Sequence, residues 1–436
     1  MLLDKHALAD KLNTGKVAVG YDLGSSVSQI SYCFMHKEDP ETVSTVAGEE
    51  RYHIPTVLCK RLESNQWLYG KDALMAAENG EGILISDLLE LAYKGIPVVV
   101  EEDEFDPVSL LALFVKKSLS LLQLIVPYEK IQVFMLTVRS LDPRMVEVLS
   151  RVAQALELKT NKVYLESYKE SFYYYTIHQP ADLWLRDVLV CDYSEEYLRV
   201  DRLEMNPKTK PIVAYVEEIE YEQMRQPEFR EDGVPEKEAD KLDKDFLAII
   251  EEVCDGRFVS AAYLIGNGFQ GDWSKESLRA LCKGRRVFQG NNLYSKGACY
   301  AAREKLIPSD AAKKRVFLGD DKLKANIGMR VVRRGEDSYL ALLDAGISWY
   351  ESVKEVEFLL ESGNSFTLTV TPLNGRETRN IEIELTDLPK RPDMTTRLSL
   401  TIRMLSEKKV KVTVKDMGFG DLFRSSGACF EEEFEL

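Results

Sequence analysis

Hydrophobic positions follow one rhythm up to about Ala311 and another after it. In the first part, short apolar strand runs alternate with stretches spaced at three and four. Residues 17–22 are such a run, Leu23-Gly24-Ser25-Ser26 breaks it, and alternation resumes at Val27, Gln29, Ile30 and Tyr32. That order predicts strand, tight glycine turn, strand. A strand near 54–59, a turn at Tyr69-Gly70 and helices over 71–78 and 107–125 follow. Residues 131–138 form a continuous apolar run of strand length, and Asp142-Pro143 then supplies an N-cap and a first-turn proline. Met145, Leu149, Val152 and Leu156 give the next helix one apolar stripe.

Strands are expected at 187–192, 197–203 and 212–216. Charges, Pro227, Gly233 and Pro235 crowd residues 217–245, which read as a solvated connection rather than core. Leu242, Phe246, Ile249 and Val253 mark an amphipathic helix leading into a strand at 261–265, ended by Gly266-Asn267-Gly268, with helices at 274–283 and 295–306 beyond. Alternating strands and helices of this kind predict an α/β architecture. After Ala311 the apolar residues fall at period two: Phe366, Leu368 and Val370, then Ile381, Ile383 and Leu385, then 398–404 and 410–414, the last two flanking a hairpin turn. A β-rich domain is therefore expected at the C-terminal end.

Composition narrows the class. Hydrophobic residues make up 45% of 436 and no apolar run reaches membrane-spanning length, so a membrane partner is not expected. The net charge of −15 repels phosphate backbones, which argues against nucleic acid. Seven scattered cysteines, an odd count without a C-x-x-C pair, support neither a disulfide framework nor a zinc ribbon. The first fourteen residues lack the apolar core of a signal peptide, and the expected compartment is the cytoplasm.

Candidate chemistry is concentrated in two turns. At Asp22-Leu-Gly24-Ser25-Ser26 a glycine allows close backbone approach, successive N–H groups and two hydroxyls can meet phosphate oxygens, and Asp22 can hold magnesium through water. A plain hairpin turn has the same composition. Gly266-Asn267-Gly268, between strand and helix, is a place where a doubly wound sheet admits a base or a phosphate, and equally an ordinary strand-to-helix turn. The four histidines have no metal-ligand spacing, and neither H-E-x-x-H nor G-x-S-x-G occurs. Tyr173-Tyr174-Tyr175 reads as helix packing, and Glu431-Glu-Glu433 as a solvated end.

Taken in order, these pieces resemble the ATPase domain of the actin, sugar-kinase and heat-shock chaperone superfamily, and in particular a DnaK-type, seventy-kilodalton heat-shock chaperone. Residues 19–26 are similar to the first phosphate hairpin, Tyr52-His-Ile54-Pro55-Thr56-Val57 to the strand after it, and Tyr69-Gly70-Lys71-Asp72-Ala73 to the next turn. Leu189-Val190-Cys191-Asp192 resembles the second hairpin's strand, 265–268 the adenosine loop, and Gly297-Ala298-Cys299 the returning helix, with the family's turn glutamate falling on Glu166. Residues 412–420 and Asp387-Leu-Pro389 are similar to the substrate-binding sandwich of that family. The resemblance implies a two-lobed actin-like ATPase fold followed by an all-β sandwich: lobe I at 1–185 and 290–310, a shortened lobe II at 186–289, a linker at 311–321 and the sandwich at 322–436.

It further implies weak binding of ATP or ADP with magnesium at Asp22, Gly24, Ser25, Ser26, Glu166, Asp192, Gly266, Asn267 and Gly268. Departures from the family pattern set expectations too. The second hairpin reads Asp192-Tyr193-Ser194-Glu195-Glu196-Tyr197 where the family has glycines and a threonine; no lysine occupies the catalytic position, where Ser86-Asp87-Leu88 stands, and no helical lid follows the β-domain. The expected function is therefore a chaperone-like protein with marginal or absent hydrolysis, no assigned catalytic residue, and protein partners met through the β-domain. Alternatives are an active ATP-dependent chaperone using Asp22, Glu166 and Asp192 around magnesium, and an actin-like assembly scaffold.

Overall fold

The strand Val17–Leu23 pairs antiparallel with Val27–Phe34 through the turn at Gly24, as the alternation predicts. On its other side it runs parallel to Ile131–Val138, which runs parallel to Val163–Ser167. These relations come from a computed structural model that describes residues 15–436 apart from 47, 63, 227–234 and 374–376. The first fourteen residues, Pro227 and Gly233 thus lie outside the described residues. The chain divides into two compact units, residues 1–316 and 317–436.

The first unit contains two six-stranded sheets with one shared plan. In the first sheet the order is Val163–Ser167, Ile131–Val138, Val17–Leu23, Val27–Phe34 and Glu41–Thr42, with Ile54–Pro55 also on Val27–Phe34. In the second it is Arg286–Gln289, Val259–Ile265, Asp187–Asp192, Tyr197–Asn206, Ile212–Arg225 and Arg315–Phe317. Each sheet is an antiparallel meander of three strands with two parallel strands added beside the first. The sense and order of the strands repeat although the sequences do not.

Helices fill the faces according to their stripes. Asp142 caps Pro143–Ala155 by accepting from the Met145 amide, and Val146, Leu149 and Val152 are buried, whereas Met145 is only half-buried. Helix Leu293–Glu304 lies so close to Val17–Leu23 that a Cβ on Gly20 would sit 2.3 Å from the Cys299 nitrogen. Its Gly297 likewise touches Ser171 of helix Tyr168–Ile177, where a Cβ would meet the Ser171 carbonyl oxygen at 2.1 Å. The second sheet buries Leu189, Cys191, Leu198 and Val200 against Phe246, Ile249 and Ile250 of helix Glu236–Cys254.

Three expectations change here. Residues 217–225 are not a solvated connection: the strand Ile212–Arg225 continues through them, burying Tyr221 and Met224, and Glu236–Cys254 takes over as helix soon after. The charges mislead because cross-strand and cross-sheet partners satisfy them, as with Glu217 on Arg202 and Glu220 on Arg139. The segment 311–321 is not a bare linker, since Asp310–Lys313 is helical and Arg315–Phe317 joins the second sheet. Glu431–Glu433 is not a loose end either; it lies in the edge strand Cys429–Glu435, where Lys411 pairs with Glu431 and Lys409 with Glu433.

The second unit has two four-stranded antiparallel sheets. One orders Glu336–Leu343, Ala325–Arg333, Ser365–Pro372 and Arg379–Glu384; the other Val353–Leu360, Thr396–Met404, Lys409–Asp416 and Cys429–Glu435. The period-two sets supply its interior, with Leu368, Val370, Leu398, Leu400, Val410 and Val414 fully buried and Phe358 edge-on to Phe366 across the sheets at 5.2 Å. All seven cysteines are free. Among the described residues no helix is long and apolar enough to cross a membrane.

Candidate functional site

The matching plan of the two sheets brings their hairpin turns to one cleft. Asp22, Gly24, Ser25 and Ser26 from the first turn, Asp192 from the second, and Gly266 and Asn267 after Val259–Ile265 all line one cavity. Asp22 and Asp192 occupy equivalent places, each near the end of the first strand of its meander. Gly268 and Glu166 are set apart from this lining. Glu166 is fully buried, where its Oε1 accepts from Ser171 Oγ at 2.5 Å, and Gly268 is covered by Tyr193.

Two tyrosines that sequence reasoning does not single out decide the chemistry. Tyr168 donates its hydroxyl to Asp22 Oδ1 at 2.6 Å, and Tyr294 donates to Asp192 Oδ2 at 2.9 Å. Their rings stack between the carboxylates, centroids 4.0 Å apart and planes within 8°. Asp192 is also ion-paired with Arg199 at 2.7 Å, and its Oδ1 accepts from the Ser194 amide at 3.0 Å. Arg199 reaches the Tyr294 hydroxyl at 2.9 Å, and its Nε lies 3.4 Å from Asp201. Each aspartate thus has one oxygen engaged by a tyrosine of the chain itself, and Asp192 has both oxygens engaged.

Burial governs the titration of this cluster. Desolvation pushes Asp22 up to about 7, the Asp192 charge adds to the shift, and the Tyr168 hydrogen bond opposes it. Desolvation likewise lifts Asp201 to about 6 against the pull of Arg199. The Tyr168 and Tyr294 hydroxyls are raised well above their ordinary value by burial, then by their aspartate neighbours, and remain protonated donors. Burial works against the Arg199 charge, but Tyr294, Asp201 and Asp192 outweigh it and hold the guanidinium cationic.

The glycines of the second turn have an internal reason to be glycine. A Cβ on Gly266, whose φ is +99°, would stand 2.3 Å from the Tyr193 carbonyl carbon; one on Gly268 would stand 2.3 Å from the Tyr193 ring. Tyr193 is fully buried, packs edge-on to Phe269 at 5.6 Å, and donates its hydroxyl to the Arg225 carbonyl at 2.6 Å. The residue that follows Asp192 therefore fills the space beside Gly266 and Gly268. Asn291 completes the wall, accepting from Gln29 through its carbonyl at 2.7 Å and from the Gly266 amide through Oδ1 at 3.1 Å.

Glu195 and Glu196 diverge. Glu195 faces the cleft, accepting from Ser25 Oγ at 3.0 Å and pairing with Arg139, while Glu196 turns to Arg225 at 3.1 Å. The cavity that remains measures ≈ 90 Å³, and a second one beside it, lined by Arg139, Glu195, Arg199 and Glu220, ≈ 170 Å³. Small-molecule sites run to about 300–1,000 Å³, so neither space accommodates a nucleoside triphosphate as the side chains stand. Among the described residues no group of three His, Cys, Asp or Glu is placed to hold a metal ion. The residues present, as their side chains stand, do not fit a magnesium nucleotide.

Only Glu195 among the cleft's new contacts carries a sequence signal, as an acidic residue where a phosphate hairpin has glycine. Tyr168, Arg199, Asn291 and Tyr294 carry none, being brought together across 95 or more residues by strand order or helix packing. None of the curated proteins matches the chain. Residues 322–436 match a domain of unknown function, DUF8552, a match that lies within the β-rich unit of residues 317–436. Residues 39–320 match the C-terminal model of a family of unknown function, DUF5716, which spans both sheets except for the initial hairpin strands. On that match, covering well over half its length, the chain belongs to the DUF5716 family.

Proposed function

We propose that this protein is a chaperone-like binding module on an actin-type, two-lobed fold, that it does not turn over ATP, and that it acts in the cytoplasm through protein contacts of its β-sandwich. The carrying observation is the paired tyrosines: each caps one of the two carboxylates that such a fold would direct at a metal-bound nucleotide. The shared plan of the two sheets, with both hairpin turns at one cleft, supports the lobed reading.

The sandwich supplies support for the contact role. A loop after Lys409–Asp416 exposes Phe419 at 43% and Leu422 at 89%, yet its base is tied down by hydrogen bonds to Asp416. Arg391 holds Asp416 through two bonds of 2.7 Å, and the same carboxylate accepts from the amides of Gly418 and Ser426. A loop with a hydrogen-bonded base that leaves large apolar side chains in water suits a partner surface. Steady-state phosphate release from ATP by the purified full chain tests the reading. It should not exceed the buffer rate; turnover that Asp22→Ala abolishes would establish the active ATPase instead.

A further inference from the structure

Charged side chains close the cleft by gripping one sheet from the other. Arg139 follows directly on Ile131–Val138 of the first sheet. One guanidinium nitrogen donates to Glu195 and the other to Glu220 Oε2 at 2.5 Å, both on the second sheet's meander. The other oxygen of Glu195 accepts from Ser25 in the first turn, and Lys169 of helix Tyr168–Ile177 pairs with Glu218 at 3.5 Å. Asp192, Glu195 and Glu220 line one cavity and all belong to the second sheet's strands and turn, and Arg139 brings a cation of the first sheet to them, an attraction that draws the two sheets together. Arg139, Glu195 and Glu220 are each about two-fifths exposed, so dissolved salt reaches these pairs.

We propose that Arg139 is the centre of a charge-operated clamp: its pairs with Glu195 and Glu220 hold the turns of residues 23–26 and 193–196 together, and weakening them lets the two sheets part. The inference rests on reading the sheets as lobes that move against each other. In such a protein, ionic contacts within the chain take over the bridging that a ligand between the turns would otherwise perform. The chain crosses between the sheets at 178–186, at 290–292 and again at 305–314, and these crossings are the places left to bend.

Amide hydrogen exchange on the full chain tests the clamp, read at residues 22–28 and 192–199 with 398–404 in the separate β-unit as internal reference. At low salt, Arg139→Ala should exchange about three- to tenfold faster than the parent at both turns. Raising salt from about 0.05 M to about 1 M should speed the parent in the same places and leave the variant unchanged, a comparison that needs no substitution to show the effect. The exchanged pair Arg139→Glu with Glu195→Arg should recover part of the protection. Equal rates for parent and Arg139→Ala would overturn the clamp. So would equal acceleration by Glu196→Ala, whose partner Arg225 lies on its own sheet, because the effect would then be general loosening of the turn. Nucleotide titration is read separately, so binding of ATP would refute the closed-cleft function without touching the clamp.

Discussion

The ring of Tyr168 lies face to face with that of Tyr294, 4.0 Å between centroids, and each hydroxyl donates to one of the two aspartates at the hairpin turns. The stack joins two hydrogen bonds into one unit, so neither aspartate can turn to a ligand without disturbing both rings. Single replacements Tyr168→Ala and Tyr294→Ala should each lower the unfolding free energy by about 3–5 kcal/mol, as for other buried aromatic truncations. The double variant should cost less than the sum, with a coupling of about 0.5–1.5 kcal/mol for the lost stack. Denaturant unfolding of the four proteins measures this, and strict additivity would contradict the unit.

Asp22 gives a pH test. Its folded-state value is about 7 against an ordinary 3.8, so between those values the folded protein keeps a proton that the unfolded chain has released. Stability therefore falls as pH rises through that window. Asp22→Asn keeps an acceptor for the Tyr168 hydroxyl and removes the cost of the buried charge. The variant should match the parent near pH 4 and exceed it above pH 7 by on the order of a few kcal/mol. Thermal unfolding across pH would count against this account if the two curves ran parallel.

Gly268→Ala separates packing from ligand binding. The added methyl group would collide with the Tyr193 ring, and overpacking of this kind costs about 1–3 kcal/mol. Combining it with Tyr193→Ala should remove most of the additional penalty, because the colliding ring is gone. A Gly268→Ala protein as stable as the parent would mean that the glycine does not answer to Tyr193.

In the β-unit, burial raises the Asp416 carboxyl, but Arg391 and the Ser426 and Gly418 donors hold it well below the usual carboxylate range. A depressed acid stabilises the fold above its unfolded value of 3.8, and that contribution fades as pH falls below it. Arg391→Ala leaves a buried carboxylate without its counter-ion, which costs about 3–5 kcal/mol. The loss should appear at pH 7 as early unfolding of the β-unit and shrink toward pH 2. Tryptophan fluorescence follows it, since Trp349 is a buried reporter within that unit.

The hairpins were legible in the sequence because strand periodicity and a glycine turn are local signals. The run Val17–Leu23, the break at Gly24 and the return at Val27 appear in the structure as they do in the pattern, and so does the Asp142-Pro143 helix start. What failed locally was charge. Glu217–Arg225 and Glu431–Glu433 look solvated residue by residue, yet both are strands whose acids meet Arg or Lys on a neighbouring element. The filling of the cleft was hidden for another reason. Tyr168 and Tyr294 are separated by 126 positions along the chain, and only the packing of their two helices brings them together. The acidic replacement at Glu195 pointed to a spoiled phosphate turn, but its direction required the fold.

Calorimetric titration of the full chain with ATP and magnesium shows whether the cleft is filled by its own side chains. No saturable heat should appear up to about 1 mM ligand, where binding free energy falls to about 4 kcal/mol. One-to-one binding in the micromolar range, weakened by Asp22→Ala, would contradict it.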